Sequence, residues 1–366
     1  MSFRLLVINW QDPEHPLAGG AEVHFQEVFS RLVHQYDYQV TLLACSFPGA
    51  PSETEIEGIR VLRRGSRSTF NFIVPWVYRQ ELRQEPFDLV IEDLNKIPFY
   101  TRFYIATPKL ALLHHFFGRT IYQETHPILA TYVYLTERSV PKLYRGIPFV
   151  AVSQSTKEDL VRHGIPERDV TVIYNGVSDF YFPTFEVYDR PTVLYLGRLK
   201  KYKRIDLVLQ VFREILREIP DARLLIVGDG DARPGLMQLA KDLGLESSVT
   251  FTGFVSEEAK CTYLQKSWVI LNTSPKEGFG LVVLEAQACG TPAVVLNSPG
   301  LRETVRHGET GWIASSLEEM TQQTLQILKD PSLRTRMGKA AVNWARTFSW
   351  DRAAEEFHHL IQNLLT

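Results

Sequence analysis

Two segments of the chain are almost unbroken apolar runs, residues 4–9 (RLLVIN) and 192–196 (TVLYL), and each ends at a polar or glycine-containing loop that leads into helical periodicity. A strand covered on both faces has no alternation to show, so such runs predict the first strands of parallel sheets. In the first half, further strands are predicted at 40–44, 89–91, 110–113, 149–152 and 170–173, with helices such as 22–34 and 74–84 between them. In the second half, strands at 223–227, 249–251, 269–272 and 293–296 alternate with helices near 205–218, 233–243, 256–266 and 280–289. Strand-then-helix order in both halves predicts two doubly wound α/β domains. Between them, residues 181–191 carry two prolines, aromatics and no period, as an ordered linker does. The boundary is placed near residue 187, giving domains 1–187 and 188–349, and residues 348–361 form one last amphipathic helix.

The chain has 366 residues, enough for two cores, and its 45% hydrophobic and 22% charged content is that of an ordinary globular protein. A formal charge of −2 argues against a general nucleic-acid binder. Cys45, Cys261 and Cys289 lie far apart, with neither metal-ligand spacing nor a disulfide framework. The apolar run Leu5–Ile8 is too short for a signal peptide, and no stretch approaches the roughly 18 apolar residues of a spanning helix. A cytosolic location is expected.

The residues with the most to say about chemistry are 277–285, E-G-F-G-L-V-V-L-E. Gly278 and Gly280 stand at the mouth of a predicted helix, where backbone without a Cβ lets an anion approach unpaired N–H groups. Glu277 and Glu285 flank that point, so both can hydrogen-bond hydroxyl groups of a ligand whose phosphates lie between them; a nucleotide-sugar fits. After the strand at 192–196 come Gly197, Arg198 and a basic cluster reaching Lys203. A guanidinium fork and an ammonium can together neutralise a pyrophosphate. Gly19, Gly20 and Glu22 open the helix after the first strand, where backbone amides can meet a phosphate or sugar. Neither this loop nor Gly228-Asp-Gly230 has G-x-G-x-x-G spacing, which weakens a dinucleotide-dehydrogenase reading. His114 and His115 end a strand at the sheet edge, and Asn175-Gly176 marks a turn.

In their order and placement, G-G-A-E, His114, N-G-V, G-R-x-x-x-x-K, G-x-G, T-G-F-V (252–255) and E-x7-E resemble the retaining glycosyltransferases of family 4. The resemblance spans nearly the whole chain and implies the GT-B fold, two Rossmann-like doubly wound domains facing across a cleft. Its last helix, 350–366, is expected to cross back onto the N-terminal domain. It implies transfer of a sugar from a nucleoside diphosphate to an acceptor hydroxyl, on a glycan or lipid-linked glycan. By the same resemblance, His114 and Glu277 contact the donor sugar, Glu285 the ribose, and Arg198 and Lys203 the pyrophosphate. Gly19, Gly20, Phe279 and Gly280 meet the phosphates through backbone amides, and Asn175, Gly228, Val255 and Leu281 are further substrate-binding positions. This chain departs from the family pattern at Ser178, where an aspartate is usual, and at His115, where an acidic residue is common.

No Asp-x-Asp element stands where a metal would be held, and two cations with helix N-termini can supply the same electrostatics, so no cofactor or essential metal is expected. Two rivals share the residues: a sugar-nucleotide epimerase of the same architecture, and a non-catalytic nucleotide-sugar-binding subunit. The aromatic-rich segment 99–144 is the expected acceptor side. Residues 60–83 carry six arginines against one acid, interleaved with Phe70, Phe72, Ile73, Val74, Trp76 and Val77, which suggests peripheral contact with an anionic membrane through a helix starting near Pro75.

Overall fold

The computed structural model describes residues 2–366. It divides into two units, one formed by the chain up to Gly176 together with Trp350–Thr366, the other by Val177–Ser349.

The first unit is built on a sheet of β1 (Arg4–Ile8), β2 (Gln39–Ala44), β3 (Glu53–Ile56), β4 (Ile59–Arg63), β5 (Leu89–Asp93), β6 (Lys109–Leu113), β7 (Phe149–Ala151) and β8 (Val170–Val172). Their spatial order is β3-β4-β2-β1-β5-β6-β7-β8, parallel except for the hairpin β3–β4. Helices α1 (Gly20–Tyr36), α2 (Phe70–Val77), α3 (Pro127–Leu143) and α4 (Gln154–Arg162) lie among the crossovers. The apolar run of β1 is fully buried from Leu5 to Ile8, as a central strand covered on both faces must be.

Three features of this unit depart from the sequence expectation. The β3–β4 hairpin and α3 have no counterpart among the predicted elements; β3 is a short polar edge strand, and Pro141 inside α3 obscures its period. The helix expected at 74–84 starts earlier, at Phe70, with Pro75 inside it, and the chain then widens into a π turn at Tyr78–Leu82. Three of the six arginines of residues 60–83 are paired within the unit. Arg63 is buried on Asp12 and Glu14, Arg60 pairs with Glu53 and Glu85, and Arg64 with Glu81.

The second unit carries an all-parallel sheet, β9 (Thr192–Leu196), β10 (Arg223–Val227), β11 (Val249–Gly253), β12 (Val269–Asn272), β13 (Ala293–Leu296) and β14 (Gly311–Ala314), in the order β11-β10-β9-β12-β13-β14. Its helices are α5 (Ile205–Glu218), α6 (Arg233–Asp242), α7 (Glu257–Lys266), α8 (Leu281–Ala288), α9 (Leu301–Thr304), α10 (Leu317–Lys329) and α11 (Pro331–Ala345). On α5 the buried residues Ile205, Val208, Leu209, Phe212 and Ile215 follow helical spacing and face the sheet core.

The boundary expected near 187 falls instead between Gly176 and Val177. Residues after 176 pack on the second unit. Tyr181 and Tyr188 lie against its core, the Tyr188 N–H donates to Lys266 O at 2.9 Å, and Phe185 and Pro183 cover Gly290. The C-terminal helix, Trp350–Leu365, packs on α1: Phe357 touches Phe29 and His24, His358 stacks on Tyr36, and Asp351 accepts from Arg31 at 2.6 Å.

Candidate active site

In the second unit the charged loops stand at the C-terminal ends of β9 and β12, which pair directly. Gly197 leaves β9 at φ +148°, followed by Arg198 and a 3-10 turn, Lys201–Lys203. The loop after β12 runs to Gly280, the N-cap of α8. Thr273 ties the two together, its hydroxyl donating to Arg204 O at 2.8 Å. Ser274 holds the second loop's shape, donating from its N–H to Asn272 Oδ1 and from its hydroxyl to Lys276 O, and Ser298 donates to Ser274 O.

This frame brings Lys203 Nζ to 2.5 Å from Glu277 Oε1, with side chains only 17% and 15% exposed. Burial disfavours the ammonium of Lys203, but Glu277 outweighs it and holds the group above its usual range. Arg198 is exposed on the same loop, near enough for its charge to oppose that of Lys203. Glu285 is buried in α8, its Oε2 3.0 Å from Lys260 Nζ. Burial pushes its carboxyl up, and Lys260 only partly offsets that. Tyr181 and Glu257 complete the group, with the Tyr181 hydroxyl donating to Glu257 at 2.6 Å and Lys260 donating to Tyr181 Oη at 2.8 Å.

Gly280 has φ +92°, and a Cβ there would meet Leu301 Cδ2 at 3.0 Å, so glycine is required where α8 opens. Leu281 is the first residue of α8, among the N–H groups a helix leaves unbonded within itself. The Phe279 side chain turns inward, buried against Phe348. Gly228 has a backbone role: a Cβ would sit 2.1 Å from Gly197 O, so this glycine lets the β10 loop close on the β9 loop. Val255 is half-buried against the core of the second unit, beside the fully projecting Phe254.

The first unit holds a second cluster, where α1 meets the ends of β5 and β6. His114 Nε2 lies 3.2 Å from Asp93 Oδ2. Burial alone would discharge His114, but Asp93 outweighs it and raises the imidazole. Glu22 accepts the Gly19 N–H at 2.6 Å, and burial, reinforced by Asp93, pushes its carboxyl up to about 7. Glu22 Oε1 and Asp93 Oδ1 are buried without a hydrogen-bond partner. His24 lies edge-on to His114 and is held neutral by burial, its basicity lowered to about 3.

Two residues expected at the ligand have partners within the unit. The Gly19 N–H already serves the capping box with Glu22, leaving Gly20, exposed in the first turn of α1, as the amide open to a ligand. Asn175 is buried, its Oδ1 2.7 Å from His24 Nδ1, and so orients a neighbouring ring.

Two family models match the chain consecutively: "Glycosyltransferase Family 4" over residues 18–179 and "Glycosyl transferases group 1" over 179–344. The chain belongs to the family 4 glycosyltransferases. Among curated relatives, N-acetyl-alpha-D-glucosaminyl L-malate synthase of Bacillus anthracis is 33% identical over 224 residues, covering 56% of this chain and 58% of the relative's length. The chain thus spans little more than half of that protein. Among solved structures, sucrose-phosphate synthase from Thermosynechococcus elongatus superposes with a TM-score of 0.83 at 20% identity, covering 99% of both chains. Anabaena HepE in complex with UDP and glucose gives 0.78 at 18% identity, covering 99% and 100%. These likenesses show the fold, GT-B.

In this family 4 member, Asp93, His24, Glu22 as a proton-holding group, Lys260 and Tyr181 escaped the reading of the sequence. Asp93 carried a signal, a carboxylate ending an otherwise apolar strand (V-I-E-D), but β5 was expected to stop at Ile91. Its neighbour Glu92 is structural, its carboxylate buried on the N–H groups of Phe99, Tyr100 and Thr101.

Proposed function

We propose that the protein is a retaining glycosyltransferase that moves a sugar from a nucleoside diphosphate to an acceptor hydroxyl on a glycan or lipid-linked glycan, with no essential metal. The observation that carries this reading is the Lys203–Glu277 pair, set at the C-terminal ends of adjacent parallel strands beside a helix opened by glycine. Ligands of open α/β sheets bind at such strand ends. The complex of the HepE relative with UDP and glucose supports a nucleoside diphosphate as the carrier of the donor sugar.

In the proposed reaction the bond from the anomeric carbon to the diphosphate breaks while the acceptor oxygen bonds on the same face. The acceptor proton passes to the departing phosphate oxygen. Arg198 and Lys203 meet the charge that grows on the leaving group, and the opening of α8 adds its N–H groups and dipole. Glu277 accepts from sugar hydroxyls while keeping Lys203 in place, and Glu285 accepts from the ribose; a carboxylate paired with one lysine retains lone pairs for both tasks. His114, whose charged form Asp93 favours, donates to the sugar.

A panel of nucleotide-sugars tested for thermal stabilisation, followed by product analysis with and without acceptors, tests the reading. A donor at 100 times its Kd should add about 2.7 kcal/mol, and product should form only with an acceptor. Isomerised donor without any acceptor would identify an epimerase, and binding without any product a non-catalytic subunit.

A further inference from the structure

The first unit carries an unexplained apolar face on α2, α3 and the turn at Thr101–Phe103. Phe72 is 66% exposed, Trp76 61%, Phe103 64%, Ile128 73%, Leu129 57% and Leu135 59%. They form one neighbourhood: Asn71 on α2 donates to the Tyr132 hydroxyl on α3 at 3.2 Å, and Tyr100, next to the turn, bonds Ser139 on α3 at 3.1 Å. On α3 the outward residues Ile128, Tyr132 and Leu135 follow i, i+4, i+7 spacing, while Ala130, Val133 and Val140 are buried on the opposite side. On α2, Phe72 and Trp76 face out while Phe70, Val74 and Val77 face in. Both helices are therefore apolar on the side that meets water as well as on the side that meets the core. A contiguous apolar face of this kind marks a docking surface.

The charges around it are mainly positive, with Glu124, partly exposed before α3, an acid at its edge. Arg79, Arg102, Arg138, Lys142 and Arg145 are exposed on these elements or just beyond their ends. Of the nearby acids, Glu81 is bonded to Arg64, and Glu137 is buried on the N–H groups of Phe117 and Gly118. A second copy of the chain would set this face against itself, cation to cation, across a twofold axis. An anionic bilayer instead takes apolar side chains into the acyl boundary and leaves arginine and lysine at the phosphates.

We propose that the α2–α3 face seats the first unit on an anionic lipid surface, with Phe72, Trp76, Ile128 and Leu135 inserted and Arg138 and Lys142 at the headgroups. The surface stands whether or not the transferase reading holds, since it uses none of the residues assigned to the reaction.

The test is co-sedimentation of the full chain with vesicles of phosphatidylcholine alone or mixed with phosphatidylglycerol, at low and high salt. Wild type should pellet with the anionic vesicles at low salt and be released as salt rises. Trp76→Ser with Leu135→Ser, and separately Arg138→Glu with Lys142→Glu, should each lower partitioning roughly tenfold, with unchanged melting curves because all four positions are exposed. Equal binding to neutral and anionic vesicles, or either folded double variant binding like wild type, would overturn the proposal. So would a dimer in sedimentation equilibrium that the apolar double variant dissolves while vesicles capture neither form.

Discussion

Lys203 and Arg198 share a loop but not an environment, and their substitutions should separate accordingly. If both stabilise the departing diphosphate, alanine at either position lowers kcat by on the order of 10² to 10³. Lys203→Ala also leaves the Glu277 carboxylate, 15% exposed, without its cation, and should lower unfolding stability by about 3 kcal/mol. Arg198→Ala, at an exposed position, should leave stability unchanged. Steady-state kinetics with urea unfolding distinguishes the effects; a double variant with wild-type kcat would remove the basic loop from the leaving-group role. Glu22 makes a second prediction at this scale. Its folded carboxyl, at about 7, lies above its ordinary 4.5 because it is buried near Asp93, although the Gly19 N–H and His114 favour the charged form. The native state therefore binds more protons than the unfolded chain between those values, and stability is lost as pH rises from about 4.5 through 7. Glu22→Gln keeps an oxygen for the Gly19 N–H and removes the buried charge. It should stabilise the protein at pH 8 by up to about 3 kcal/mol and make little difference at pH 4. A gain that does not depend on pH would rule out this account.

Elements are positioned by backbone contacts that only glycine allows. Gly300, after β13, has φ +82°, and a Cβ there would lie 2.4 Å from Glu277 O, while the Glu277 N–H donates to Pro299 O at 3.1 Å. The β13 loop thus backs the carboxylate that holds Lys203. Gly300→Ala should push the Glu277 loop out of place and reduce kcat/KM by on the order of 10², with far-UV circular dichroism unchanged. Gly235, on α6 with open space around it, is the control; its alanine variant should keep activity and gain about 0.5–1 kcal/mol. Wild-type kcat/KM in Gly300→Ala would mean the loop adapts without cost. At this scale the sequence was legible where a period was strong. The buried runs of β1 and β9 and the apolar stripe of α5 announced themselves, whereas the β3–β4 hairpin and α3, short and polar or interrupted by proline, did not.

At the scale of the molecule, each unit owns its core, and the C-terminal helix belongs to the first. Phe357, fully buried against Phe29 and His24, is its anchor. Phe357→Ala should cost about 3–5 kcal/mol, read by hydrogen exchange as faster opening of the first unit while Val177–Ser349 keeps its protection. Equal acceleration in both units would show that the helix does not stabilise the first alone.

What the sequence determined by itself is local: buried strands, amphipathic helices, and glycines and charges at strand ends, because periodicity and loop chemistry are written within a few residues. Glu277, Lys203 and Arg198 were singled out that way, and the two loops that carry them meet because β9 and β12 are neighbours. Only the tertiary structure decided which groups share a charge or a proton. His24 and Asn175 stand 151 positions apart and Arg63 and Asp12 51, and nothing local to either member announces the other. Asp93 beside His114, Lys260 beside Glu285 and Gly300 behind Glu277 are likewise products of crossovers. Protonation and orientation depend on burial and on which charges the fold brings within a few ångströms, and both exist only once the strands are in order.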